Sequence, residues 1–344
     1  MYYDIRMRYA KKQEKTQIKK IEEDIGIRIN EITNLIRNRF SDYVLSFGLT
    51  GPMAHGEATI FFHGDKTGSD VDLAIVTKYR SLRKQKALER EIRKAFGGTG
   101  LETGPLFFAP TIFERPDLLF SEYARAGQVL FGEHVKCNKD IAVWEAAKIL
   151  TSRCGAFFEN ISFSDGIMLS QKFPYAWSKS VMAVAEAMLV LENRYAFSIQ
   201  ERTRKIKNSK YARHMPGFLN LYQKAYICRY TGKLPKQRGL IADTASFISF
   251  AFNETAKILT EKSGKDLADL GAPFPSIIST RFFYFINMLK NRHIGIPLSE
   301  PLVKEFAEMG KMFEQLKAGE MPSEKARQQS VELWKHAERF WLPY

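Results

Sequence analysis

The chain has 344 residues, 45% of them apolar and 26% charged, with three cysteines and a formal net charge of +14. These proportions exclude a disordered or collagen-like chain and a disulfide-stapled scaffold, and the length predicts two or three domains with ample core. Cys137, Cys154 and Cys228 form no C-x-x-C, which argues against a cysteine-rich zinc site and for a reducing compartment. The charged amino terminus lacks the apolar core of a signal peptide, and no stretch approaches about 18 apolar residues, so a soluble cytoplasmic protein without a transmembrane segment is expected.

From Ile18 to Phe40 the apolar residues recur at intervals of three or four and predict one helix. YVLSFGL (43–49) reads as a strand that ends at Gly51 and Pro52, and the polar segment HGEATIFFHGDKTGS reads as a loop. VDLAIVT (71–77) is a second strand, the charged run from Tyr79 to Phe96 an exposed helix, and LETGPLFF (101–108) a third strand. A short helix over 116–126 and a strand-like QVLF close this region near Gly132.

After Asp140 long apolar runs without strand alternation follow, including PYAWSKSVMAVAEAMLVLE and LIADTASFISFAFNETAKILTEK, and the expectation is helical throughout. The predicted fold is α+β: an N-terminal helix over 1–42, a small mixed-sheet domain over 43–137 and an all-helical domain over 138–344. The aromatic segment 281–293 reads as a core helix. Charge is uneven, since residues 201–240 hold eleven Lys and Arg against the single acid Glu201. Such a block is either a solvated face or a surface for an anionic partner.

In GSDVDLAIV (68–76), Asp70 and Asp72 stand two apart at the start of an apolar strand, where a period of two directs both carboxylates to one face. Like charges so placed are costly without a cation. Magnesium, which takes one or two carboxylates together with phosphate oxygens, removes the repulsion. Upstream, TGPMAHGE (50–57) offers a glycine turn through which backbone amides approach a triphosphate.

The order strand, glycine turn, loop, S-D-x-D-L strand, helix and acid-bearing strand resembles the polymerase β-type nucleotidyltransferase superfamily. The likeness is to its small minimal and aminoglycoside-type members, which carry a G-S-x-A-R-G-E turn and a helical C-terminal half, and it covers about residues 43–135. It implies a mixed-sheet catalytic domain, two magnesium ions, and a nucleoside triphosphate such as ATP as substrate. Asp70 and Asp72 take the place of the metal-binding pair, and Gly51 that of the turn glycine, with Ala54, Gly56 and Glu57 following. Pro52 stands where the family has serine, and His55 where it has arginine.

The resemblance also implies a third carboxylate on a neighbouring strand. Glu102 is the first candidate, with Asp117 and Glu114 as alternatives in a segment of helix-start character. Ser69, Pro52 and His55 fall at nucleotide-binding positions. Members of the superfamily often reach the triphosphate with a lysine from the second domain, and Lys179 is the candidate here. Tyr175, Lys179 and Glu186 fall on one face of the helix predicted over 174–192, where Glu186 either pairs with Lys179 or faces the acceptor as a base. His55 and His63 read as loop histidines rather than metal ligands, and Cys154 as a buried thiol.

The leading functional reading is transfer of a nucleoside monophosphate to a hydroxyl of a small-molecule, glycan or lipid-linked acceptor, with release of pyrophosphate. Its alternatives are an RNA-directed nucleotidyltransferase that binds nucleic acid through 201–240, and a non-catalytic nucleotide-binding or antitoxin-like protein. Tyr211, Tyr222, Tyr226 and Tyr230 interleave with the basic block and read equally as base-stacking rings or as helix positions. The preferred role for the block is a positive wall that draws in triphosphate or an anionic acceptor.

Overall fold

The computed structural model describes residues 15–57, 62–63, 66–67, 71–97, 103–113, 118–164, 166–237, 239–263 and 300–341. In chain order the first half contains α1 (Lys15–Leu35), β1 (Val44–Leu49), the four-residue α2 (Gly51–Ala54), β2 (Phe62–His63), β3 (Lys66–Thr67) and β4 (Val71–Thr77). It continues with α3 (Leu82–Phe96), β5 (Thr103–Phe108), α4 (Leu118–Ala126) and β6 (Gln128–Gly132). The fold is mixed α and β, as the sequence periods indicate. Within the loop predicted over 55–69, β2 and β3 pair as a short antiparallel ribbon.

Four strands form a mixed sheet in the order β5-β4-β1-β6. β4 and β5 run parallel, joined through α3, while β1 is antiparallel to both β4 and β6. Residues on β4 alternate between two cores. Val71, Leu73 and Ile75 join the predicted stripe of α1 (Ile25, Ile29, Ile32) and its continuation Ile36 and Phe40, together with Leu88, Ile92 and Phe96 of α3. Ala74 and Val76 face the other way, onto Phe120, Tyr123 and Ala124 of α4. The Ser46 and Tyr123 hydroxyls, 2.6 Å apart and buried, tie α4 to the middle of β1. Burial pushes the Tyr123 phenol up to about 12, eased by that hydrogen bond.

From Ile141 onward nearly all the buried apolar residues described belong to a separate core. It is built by α5 (Trp144–Glu159), α6 (Phe173–Leu191), α7 (Ile199–Ile206), α8 (Phe218–Thr231), α9 (Leu240–Ser263), α10 (Glu300–Lys317) and α11 (Glu324–Trp341). α6 is its axis: every residue from Val181 to Val190 except Glu186 is buried, and the helix packs on α5, α8 and α9. The expectation of an all-helical second half needs one correction. β7 (Ile161–Ser162) and β8 (Met168–Leu169) pair antiparallel, the chain passing through Gly166 at φ 93°. Two-residue strands are too short to show an alternating pattern, so periodicity does not reveal them. The segment 281–293 lies outside the described residues. All three cysteines are free and buried, and burial raises the Cys154 thiol pKa well above its ordinary value, as expected of an inert thiol. Among the described residues no helix is long and apolar enough to cross a membrane.

Among the described residues the helical core holds an acid with no cation beside it. Glu305 on α10 is fully buried, accepts from Ser330 Oγ at 3.0 Å through one oxygen, and leaves the other without a partner. Burial pushes its carboxyl up to about 8 despite that hydrogen bond. Because the folded chain holds this proton where the unfolded chain has released it, the stabilisation is complete below the ordinary carboxylate range and lost as pH rises through about 8. Glu305→Gln, which keeps the Ser330 partner and cannot ionise, is expected to match wild type near pH 5 and to exceed it by about 1–3 kcal/mol at pH 9. Urea unfolding at the two pH values measures the difference.

Candidate functional site

The strand β1 delivers the chain into the turn that begins the site. Thr50 is extended and its amide donates to the Asp72 carbonyl at 3.0 Å, which draws the turn across the first residues of β4. Gly51 follows at φ 68°, a conformation that disfavours side chains. A Cβ there would fall 2.5 Å from Asp72 Oδ2. On the opposite side Gly104, the register partner of Asp72 on β5, leaves room where a Cβ would stand 3.4 Å from Oδ1. The Asp72 carboxylate therefore occupies a slot between two glycines, on the α4 face of the sheet. Thr50 Oγ1 beside this slot is buried and has no hydrogen-bond partner.

The next residues of the turn point elsewhere. Pro52, the second residue of α2, has no amide hydrogen to offer, while its carbonyl accepts from the Glu57 amide at 2.7 Å. His55 Nε2 lies 3.5 Å from Glu122 Oε1 on α4, both side chains largely buried. The two atoms are in ion-pair range without hydrogen-bond alignment, and Nε2 has no partner in that stricter sense. Glu57 is 3% exposed and reaches across to the helical half. It accepts from Ser198 Oγ at 2.9 Å, from the Ile199 amide at 2.6 Å and from the Gln200 amide at 3.2 Å. These are donors at the start of α7, so a carboxylate from the sheet half completes the cap of a helix in the other.

α7 in turn carries Arg202, 8% exposed. Its Nη1 lies 3.0 Å from Glu186 Oε1 on α6 and donates to the Tyr195 hydroxyl at 2.7 Å. Desolvation works against the Arg202 charge, but Glu186 and then Tyr195 outweigh it and hold the guanidinium pKa above its ordinary value. Glu186 thus pairs with Arg202, which corrects the sequence options of a Lys179 partner or an acceptor-facing base. The sequence spacing does not show this pairing because Arg202 enters from another helix.

Lys179 has different company. Its Nζ lies 4.3 Å from the centre of the Tyr175 ring, with Arg229 Cζ of α8 5.7 Å from the same ring. Desolvation and the cations Arg153 and Arg229 lower the Lys179 pKa, opposed by Tyr175. The Tyr175 hydroxyl is lowered too, since Lys179, Arg229 and Arg153 overcome its desolvation.

Asp70, Ser69 and Glu102 lie outside the described residues, as do Glu114 and Asp117. In chain order Asp70 immediately precedes β4 and Glu102 immediately precedes β5, and the first residues of these parallel strands, Val71 and Thr103, are register partners. Among the described residues no group of three or more His, Cys, Asp or Glu side chains is gathered for a metal. A recess of about 600 Å³ lined by residues including Tyr211, Phe250, Glu254 and Ile258 involves none of the site residues. Compared with known protein families, curated proteins and solved structures, the chain matches none.

The pattern missed the role of Glu57. The only local signal is Ser198-Ile-Gln-Glu201, a capping-box spelling whose Ser198 Oγ also accepts from the Glu201 amide at 3.3 Å. Replacing Glu57 with Ala removes the acceptor of the buried Ile199 amide, and that of the Gln200 amide and the Ser198 hydroxyl. Urea denaturation is expected to show a loss of about 2–3 kcal/mol, with Glu57→Gln intermediate because one acceptor oxygen remains.

Proposed function

We propose that the chain is a metal-dependent nucleotidyltransferase, moving a nucleoside monophosphate from a triphosphate to an acceptor hydroxyl. The observation that carries this reading is the Asp72 carboxylate held in a slot between Gly51 and Gly104 at the mouth of the sheet, with the turn of β1 lying against it. A strand acid packed that tightly against a glycine turn suits a site where phosphate oxygens and a hard cation meet. Asp72 would hold magnesium, together with Asp70 and Glu102, which in the chain immediately precede β4 and β5.

When bound, magnesium would lower the pKa of the acceptor hydroxyl and balance charge on the departing pyrophosphate. The chain's own groups do the rest. Gly51 lets the backbone come close to the triphosphate, and the unpartnered Thr50 hydroxyl offers it a donor where Pro52 has none. Ser69 stands next to the acids in the chain. Glu102 is the residue proposed to accept the acceptor's proton. His55, tethered near Glu122, shapes the turn more than it grips phosphate.

One observation bears on the RNA-directed alternative. Tyr211 and Tyr222 of the basic block are buried at 4% and 1% exposure, so neither ring is open for a base to stack on. Arg202 is spent on Glu186, and Lys205 lies 3.1 Å from Glu201. The small-molecule, glycan or lipid-linked acceptor is therefore the preferred class.

Incubation with α-labelled triphosphates, magnesium and cell extract should transfer label to one acceptor fraction, with chelation stopping the transfer and added magnesium restoring it. Asp72→Asn is expected to lower the rate at least about 100-fold, equivalent to about 2.7 kcal/mol of transition-state stabilisation, while leaving thermal unfolding nearly unchanged. Wild-type turnover by that variant would refute the reading.

A further inference from the structure

Lys179 of α6 and Arg229 of α8 meet over one phenol, and Arg153 of α5 is near enough for its charge to act there. Lys179 and Arg229 both lie over the Tyr175 ring, at 4.3 and 5.7 Å, and Arg153 acts on both Tyr175 and Lys179. Among the described residues no carboxylate forms an ion pair with any of the three. Arg229 Nε is buried and has no hydrogen-bond partner. Lys179 and Arg229 are half-buried, whereas Arg153 is exposed, so the cluster communicates with solvent. Arg202, the other buried cation of the region, shows the contrast: its charge is answered by Glu186 at 3.0 Å.

Gathering three cations without an anion is unfavourable, and each loses hydration on the way. The repulsion is relieved when an oxyanion enters, because two guanidinium forks and an ammonium then make charge-assisted hydrogen bonds to it. We propose that Arg153, Lys179 and Arg229, with the Tyr175 hydroxyl, form an oxyanion site that holds a phosphate group of the acceptor. The existence of the site is independent of the metal acids; its assignment to the acceptor rests on the nucleotidyl-transfer reading above.

Phosphate is the shared chemistry of acceptor and nucleotide, and two observations favour the acceptor. First, a chain of contacts leads from the Gly51 turn to the helix that carries Lys179: Glu57 caps α7, and Arg202 of α7 pairs with Glu186 of α6. Along α6, Lys179 precedes Glu186 by seven residues, about 10 Å of helix rise. Second, a triphosphate on two magnesium ions arrives with its charge largely balanced, whereas a phosphate on the acceptor brings no cation of its own.

Calorimetric titration of the full chain with inorganic phosphate tests the site without turnover. Wild type should bind, and Lys179→Met and Arg229→Gln should each weaken binding at least about tenfold, while Arg204→Gln, an exposed residue of the same basic block, should not. Arg153→Gln, at an exposed position, keeps the test readable if the buried replacements do not fold. Asp72→Asn should bind phosphate normally, so failure of the metal site and failure of this one are read separately. Repeating the titration with magnesium and saturating α,β-methylene-ATP should leave phosphate affinity unchanged. Absence of phosphate binding, equal binding by all folded variants, or displacement by the nucleotide analogue would each overturn the proposal.

Discussion

A buried carboxylate of the sheet half, Glu57, reaches into the helical half. Glu57 takes up the Ser198 hydroxyl and the amides of Ile199 and Gln200 at the start of α7. Buried amides left without acceptors are costly, so the energy of this contact depends on α7 meeting the turn in one register. Glu57 is also bound to the turn itself, through its amide on the Pro52 carbonyl. The geometry of Gly51 and the seating of α7 are consequently not independent of each other.

From α7 the constraint spreads. Arg202 is carried into a buried position where Glu186 of α6 and the Tyr195 hydroxyl answer it. On the sheet side, the Ser46–Tyr123 hydrogen bond seats α4, and with it the adjacent Glu122 reaches His55. The seam is thus lined by polar groups that are mostly matched, and matched polar contacts specify one arrangement where apolar ones tolerate several. Two buried polar atoms keep unmet capacity: Thr50 Oγ1 in the turn and Arg229 Nε beside the Tyr175 ring.

The charge of the chain is distributed by burial as much as by sequence. Of the eleven cations in 201–240, Arg202 is interior and Arg229 is half-buried against an aromatic ring, while Arg204, Lys207, Lys210 and Arg213 are exposed. The block is therefore no uniform surface. A count along the chain treats these residues alike, yet desolvation and partners separate an ion-paired arginine from a solvated one and from one that awaits an anion.

Much of the architecture was legible because it follows from periods that the chain carries locally. The isoleucine stripe to Phe40, the alternation in VDLAIVT and the long apolar run of α6 each announced an element and the face it buries. The two-residue ribbon β7–β8 was not legible, having no length over which a period can show. Of the site, Asp72 and Gly51 could be named from spacing, but the contact between them depends on β1 and β4 being paired, and Gly104 enters only through the register of β5. Lys179 shares a face of α6 with Tyr175, yet its neighbours Arg153 and Arg229 arrive from helices remote in sequence. The sequence by itself determined elements, faces and the candidate acids, since backbone geometry repeats every two or 3.6 residues. Only the tertiary structure decided which charges meet: Glu57 joins residues 141–143 positions away, and Glu186 chooses Arg202 over Lys179, because pairing follows docking across the seam and not distance along the chain.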